Sequence, residues 1–294
     1  MRRFFPLVAL FLALPAIAEI DPEWITPLSP FPIADDLYYV GSRELAAYLV
    51  TTPAGNILLN ANLESAPPQI RASVEQLGFQ WADTKILLNS QAHFDHMGGA
   101  AQVLRETHAK NMVMEGDADV VESGGRSDFL QATGSVPPYQ PTKVDRVLRD
   151  GETVELGGVT LTAHKTAGHT RGCTTWTFPV HLPGDPVDQM RQVVIVGGAS
   201  FWSDFHFVDR AGHPASYPGI AEDFALTFKV LRSLPCDIFL GAHGSYFNLK
   251  GKLPRLAERG QKIFLDAAGY REFVAKSQAA FERVLKEEQA AARP

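Results

Sequence analysis

The segment Gln91-Ala92-His93-Phe94-Asp95-His96 constrains this chain more than any other, because it follows the apolar run Lys85-Ile86-Leu87-Leu88 after only two residues. Two imidazoles, a carboxylate and an amide within six positions concentrate metal-binding groups beyond what an ordinary surface carries. Gly98-Gly99 and a helical run from Ala100 to Leu104 come next. Strand, polar cluster, then helix is the order in which α/β sheets expose a site at the carboxyl end of a strand. The segment predicts a catalytic metal site.

Two further histidines stand in similar settings, in Ala167-Gly168-His169-Thr170 and Gly241-Ala242-His243-Gly244. Each comes where an apolar run ends, beside small residues that let backbone and ligands crowd around an ion. Neutral imidazole and carboxylate oxygen suit zinc, whose hydrolytic sites use about three protein ligands and leave a position for water.

Around these segments, β-branched and aromatic runs recur at 37–40, 46–51, 57–59 and 86–88, punctuated by Gly41 and Pro53-Ala54-Gly55, and read as a β-meander after a Pro-rich lead-in. Helical spacing marks 67–77 and 118–122, with a short strand at 112–114. A second set of strands falls at 153–156, 160–163, 174–178 and 193–196, then a helix at 220–234, a strand at 238–240 and a last helix at 273–285. Two sheets with interspersed helices predict an αβ/βα sandwich of two halves. The stretch 203–218 has no periodicity, and its length suggests a loop that covers a binding site.

Residues 1–18 have a basic start (Arg2, Arg3), an apolar stretch and the small pair Ala16 and Ala18, the pattern of a cleaved export signal. The apolar stretch is shorter than the ~20 residues that cross a bilayer. Its removal leaves residues 19–294 as one domain; since the signal holds two arginines and no acid, the formal charge moves from −6 to −8. An acidic chain without a basic tract is repelled by phosphate backbones, which excludes nucleic acid as a partner and favours a small diffusible substrate. Cys173 and Cys236 are the only cysteines. One lies near the metal end and the other at the far end of a strand, so no bridge is expected.

The three histidine segments, in this order, resemble the metallo-β-lactamase superfamily, with its His-x-His-x-Asp-His opening, Gly-His-Thr and a final histidine. Gly168-His169-Thr170-Arg171-Gly172-Cys173-Thr174-Thr175-Trp176 and the helix beginning Pro218-Gly219-Ile220-Ala221-Glu222-Asp223-Phe224 are similar to subclass B3. Gln91 resembles the GOB-type members, in which glutamine opens the motif. The resemblance implies a four-layer αβ/βα sandwich of two mixed sheets flanked by helices. It implies a periplasmic, monomeric enzyme that opens the amide of penicillins, cephalosporins and carbapenems by zinc-bound hydroxide.

Carried over residue by residue, Gln91, His93 and His169 form a first zinc site, and Asp95, His96 and His243 a second, with Asp95 catalytic. A neutral amide oxygen is a weaker donor than imidazole, so the first site is weakened and one or two ions are expected. Related thioesterases and lactonases, the rival reading, usually carry a metal-bridging aspartate after the strand that follows Gly-His-Thr. Here that strand runs into Gly197-Gly198-Ala199-Ser200, without a carboxylate. A non-catalytic zinc-binding protein is the second rival.

Ser200, His206 and Tyr217 are candidate substrate contacts, Ser200 in place of the serine that Ala199 lacks. His213 shares the suspected lid, His164 is a candidate support for the site, and His108 and His181 read as surface groups. Cys173 is expected to turn inward, and Trp176 and Phe178 to alternate as strand core.

Overall fold

The computed structural model describes residues 20–292; the expected export signal at 1–18 lies outside them. Seven strands form the first sheet: β1 (Phe31–Ala34), β2 (Leu37–Tyr39), β3 (Tyr48–Thr52), β4 (Gly55–Leu59), β5 (Thr84–Leu88), β6 (Lys110–Met114) and β7 (Arg146–Leu148), in that spatial order. Strands β1 to β4 are antiparallel, whereas β4 to β7 run parallel. The expected meander therefore stops at β4. Parallel neighbours need a crossover, and the helices α2 (Pro67–Gln76), α4 (Ala100–Thr107) and α5 (Ala118–Glu122) supply those crossovers.

The second sheet holds β8 (Thr153–Leu156), β9 (Val159–Lys165), β10 (Thr174–His181), β11 (Met190–Val196) and β12 (Ile238–Gly241), in the order β12-β11-β10-β9-β8. Its one parallel pair, β11 and β12, is joined through α6 (Ile220–Ser233). The other helices are α1 (Pro22–Ile25), α3 (Phe94–Met97), α7 (Leu249–Arg259) and α8 (Ala267–Ala291). Both sheets are mixed and flanked by helices, as the sandwich reading requires.

Alternation along the strands builds the layers. Leu58, Leu87 and Val113 face Ile70, Val74 and Val103 of the outer helices, and their neighbours Ile57, Leu59, Ile86 and Leu88 join the core shared with the second sheet. Trp176 and Phe178 are buried in that core, with Phe224, Phe228 and Phe281 of α6 and α8. Among the described residues no helix is long and apolar enough to cross a membrane.

Three elements escape a periodicity reading for physical reasons. Strand β1 carries Pro32 and sits at the sheet's edge, where a missing N–H is tolerated. Strand β7 is three residues long with two of them exposed. Helix α7 contains Pro254, which ordinarily breaks a helical pattern.

Candidate metal centre

The two sheets are stitched together at the ends of β5, β10 and β12. Thr174 N–H donates to the Ser90 carbonyl at 2.8 Å, and the Trp176 indole donates to the Asn89 carbonyl at 2.8 Å. Tyr48 O–H donates to the Gly241 carbonyl at 2.7 Å, and Ala46 N–H to the Ala242 carbonyl at 2.9 Å. Asn60, held at φ 70°, accepts from both the backbone and the hydroxyl of Ser90. The Gln91–His96 segment and His243 thus meet through bonds made by the fold, not by their own side chains.

Asp95, His96 and His243 converge, with one ligand atom from each inside a mutual 4.8 Å. The Nε2 atoms of His96 and His243 lie 3.2 Å apart, and Asp95 Oδ2 is 3.2 Å from the first and 3.5 Å from the second. Burial works against ionised Asp95, but the two imidazoles outweigh it and hold its carboxyl well below the usual carboxylate range. Burial likewise pulls His96 down. For His243 the hydrogen bonds to Asp95 and Glu44 overcome burial and raise it to about 9. A cluster that draws a proton onto a buried imidazole is one that binds a cation.

Beside it, the rings of His93 and His169 are 4.9 Å apart. His169 Nδ1 donates to the Ser200 carbonyl at 2.7 Å, which fixes the ring and frees Nε2. Burial, then His93, pushes His169 down to about 3, so the imidazole is neutral. Gln91 differs: its Oε1 accepts from the His93 N–H at 3.3 Å, so an ion there competes with that bond. Gln91 Nε2, His93 Nε2 and His96 Nδ1 are all buried without a hydrogen-bond partner. Orphaned polar atoms are rare inside proteins, and their gathering on one six-residue segment fits a metal centre.

Carboxylates invisible to motif reading support these side chains. Asp117 accepts from Thr170 Oγ1 and Gly172 N–H, both at 2.7 Å, and so holds the Gly168-His169-Thr170 turn; burial raises its carboxyl to about 6. Asp128 lies 3.5 Å from His93 Nε2 and accepts from Leu130 N–H. Glu44 lies 3.6 Å from His243 Nδ1 and accepts from Ser245 N–H and Oγ. Gly168 takes φ 131°, and a Cβ there would meet the Phe224 ring at 2.6 Å. After β11, a Cβ on Gly197 would sit 2.2 Å from the Thr174 carbonyl, and one on Gly198 3.0 Å from the His169 ring.

Of the expected substrate contacts, Ser200 stands at the rim, its hydroxyl 3.2 Å from Tyr246 Oη. Tyr217 is buried, its hydroxyl donates to Asp223 at 2.9 Å and the Arg171 guanidinium covers its ring. His206 meets the ring of His213 edge-on and approaches Glu288 of α8. The wall beside the histidines is made instead by Trp202 and Phe205, with Trp24 next to His243. His164 bonds Thr177 within the sheet. Both cysteines are free, and buried Cys173 points its thiol at the Gly198 carbonyl.

The family described as Metallo-beta-lactamase superfamily matches residues 45–243. The native FEZ-1 metallo-β-lactamase from Legionella gormanii is 46% identical with a TM-score of 0.85, over 90% of this chain and 98% of that one. The class B3 di-zinc metallo-β-lactamase LRA-12 from an Alaskan soil metagenome is 35% identical, TM-score 0.80, over 90% and 97%. The metallo-β-lactamase GOB-18 from Elizabethkingia meningoseptica is 32% identical, TM-score 0.80, over 92% and 96%. Overall sequence is thus nearer to FEZ-1 than to GOB-18, and the GOB-type resemblance rests on position 91. A curated relative, the hydroxyacylglutathione hydrolase of Hyphomonas neptunium, is 28% identical over 51% of this chain. The chain spans about half the length of the curated relatives it matches.

Proposed function

The chain belongs to the metallo-β-lactamase superfamily, and from that premise we propose that it is a zinc-dependent β-lactamase acting on penicillins, cephalosporins and carbapenems. The observation that carries this reading is the convergence of Asp95, His96 and His243 on one point. These three form the stronger zinc site. Gln91, His93 and His169 form a weaker one, because an amide oxygen replaces an imidazole and already serves the His93 N–H.

Zinc in such a site supplies Lewis acidity, bringing the pKa of water toward 7 and stabilising the charge that develops as the amide opens. The protein's part is orientation. Asp95, ionised at rest, would accept a hydrogen bond from a water, take up one of its protons and release that proton to the ring nitrogen, returning to the carboxylate. Glu44 and the Ser200 carbonyl fix the rings of His243 and His169 from behind. Trp202 and Phe205 wall the site from bulk water on the side of His93 and His169. Ser200 and Tyr246 offer hydroxyls at the rim to a substrate carboxylate.

The absence of a carboxylate in 197–200 favours this reading over a thioesterase or lactonase. The reading includes an exported, monomeric, periplasmic enzyme, with 1–18 removed as signal and 19–294 as the catalytic unit. Purified protein is expected to hydrolyse a chromogenic cephalosporin faster than a lactone or a thioester, to lose activity to a chelator and to regain it with zinc. Undiminished turnover after rigorous zinc removal refutes the metal; a preference for the thioester refutes the substrate.

A further inference from the structure

Helix α8 buries one carboxylate, Glu288, within a turn of its end. Glu272 and Glu287 of the same helix pair along its exposed surface with Lys276 and Arg283. Glu288 turns inward. Its Oε2 accepts from the backbone N–H of Phe207 at 2.6 Å and of Val208 at 3.2 Å. Its Oε1 accepts from Arg210 Nη2 at 3.1 Å and lies 3.7 Å from His206 Nδ1. One helical residue therefore gathers four groups of the irregular stretch 206–210.

Burying a carboxylate costs free energy that an apolar side chain would not incur, so a cluster of this kind is better suited to fixing one conformation than to adding stability. The conformation it fixes leads to the metal centre. Phe207 is anchored on Phe224 and Phe281, the latter seven residues before Glu288 on the same face of α8. Two residues upstream, Phe205 stacks on the His169 ring at 6.0 Å and holds Trp202 at 4.7 Å. Trp202, half-buried, lies 5.8 Å from the ring of His169 and 6.1 Å from that of His93.

We propose that Glu288 is a positioning residue: by clamping the backbone at Phe207 and Val208 it sets the Trp202–Phe205 wall, and Trp202 presents a stacking face to aromatic acyl side chains of the substrate. The assignment rests on the β-lactamase reading above and adds a selectivity to it. Phe205 is buried behind Trp202, so the indole is the surface that a substrate meets. Aromatic pairs in such offset or edge arrangements attract by more than the area they bury.

The test uses the full mature chain and two readouts. Amide hydrogen exchange without substrate should show protection at Phe207 and Val208 falling about tenfold or more in Glu288→Ala, and less in Glu288→Gln, while β10 and β11 keep theirs. Unchanged exchange at 205–210, or equal loosening throughout the chain, overturns the clamp. In steady-state kinetics, Glu288→Ala should raise KM about tenfold for a penicillin with an aromatic acyl group, leave kcat within about twofold, and spare a penicillin with a small acyl group. Trp202→Ala should reproduce that KM shift without altering exchange at Phe207 and Val208. Equal effects on both penicillins, or a fall in kcat alone, overturn the selectivity. If wild-type protein opens no β-lactam, the functional reading fails by itself, and the exchange experiment still decides the clamp.

Discussion

The two halves of the candidate metal centre hold their histidine rings at the same separation, 4.9 Å for His96 and His243 and 4.9 Å for His93 and His169. They differ in how a carboxylate is shared. The first pair shares an ionised carboxylate, and Asp95 draws both Nε2 atoms to within 3.5 Å of a single oxygen. The second pair shares no carboxylate: Asp128 lies 3.5 Å from His93 Nε2, and the amide oxygen of the neutral Gln91 is turned to a backbone N–H. Ring spacing alone does not make a cation site; a buried negative charge that the surrounding imidazoles cannot fully neutralise does.

Removing that charge is the most severe way to test the contrast. Asp95→Asn is expected to lower kcat by about 10²–10⁴-fold with a smaller change in KM, read from steady-state rates on a cephalosporin. An equal loss from Gln91→Ala would erase the distinction between the two halves. Next in size, Glu44→Gln withdraws the group behind His243 and should weaken zinc binding about 10–100-fold in a chelator competition, leaving the fold intact by circular dichroism.

The carboxylate behind the second pair sharpens the contrast through pH. Asp117 has a folded value of about 6 against an ordinary 3.8, so in metal-free protein the folded state binds more protons than the unfolded one between those values. The contribution of Asp117 to stability therefore falls as pH rises from about 4 to 6, by up to about 2 kcal/mol, and opposes that of His169, whose depressed imidazole favours the fold as pH rises through the same range. Asp117→Asn should raise stability at pH 7 relative to pH 4 by about that amount in urea denaturation; an unchanged difference between the two pH values would show that Asp117 does not carry it. Smallest is Gln91→His, which should raise bound zinc from about one toward two ions per chain by metal analysis. Unchanged stoichiometry would show that position 91 is not what separates the halves.

What the sequence discloses follows the same division between local and distant causes. Strand β8 and helix α5 are found at their observed bounds, because β-branched runs and helical spacing act within a few residues. Gln91, His93, Asp95, His96, His169 and His243 are legible because histidine is scarce, nine in the chain, and these stand beside small residues at strand ends. Glu44, Asp117 and Asp128 are three among 33 acids with no local mark. Only the stitching of β12 to β3 and the turn after β6 give them a role. Trp24 and Trp202 reach the site by the same route, from a four-residue helix and an irregular loop. The partners of Tyr217 and His206 are hidden for the complementary reason: proximity along the chain to a covering loop does not say which way a ring turns.

The glycines that follow β11 bear on how freely this scaffold can change its trade. Related chemistries place an acidic side chain at the end of this strand, yet here a first carbon on Gly197 collides with the Thr174 and Ser90 carbonyls, and one on Gly198 presses on His169. A descendant that drifted toward thioester cleavage would have to re-thread the junction between its sheets before it could recruit the new acid. Recruiting an acid at this strand end is therefore gated by space at two positions, Gly197 and Gly198.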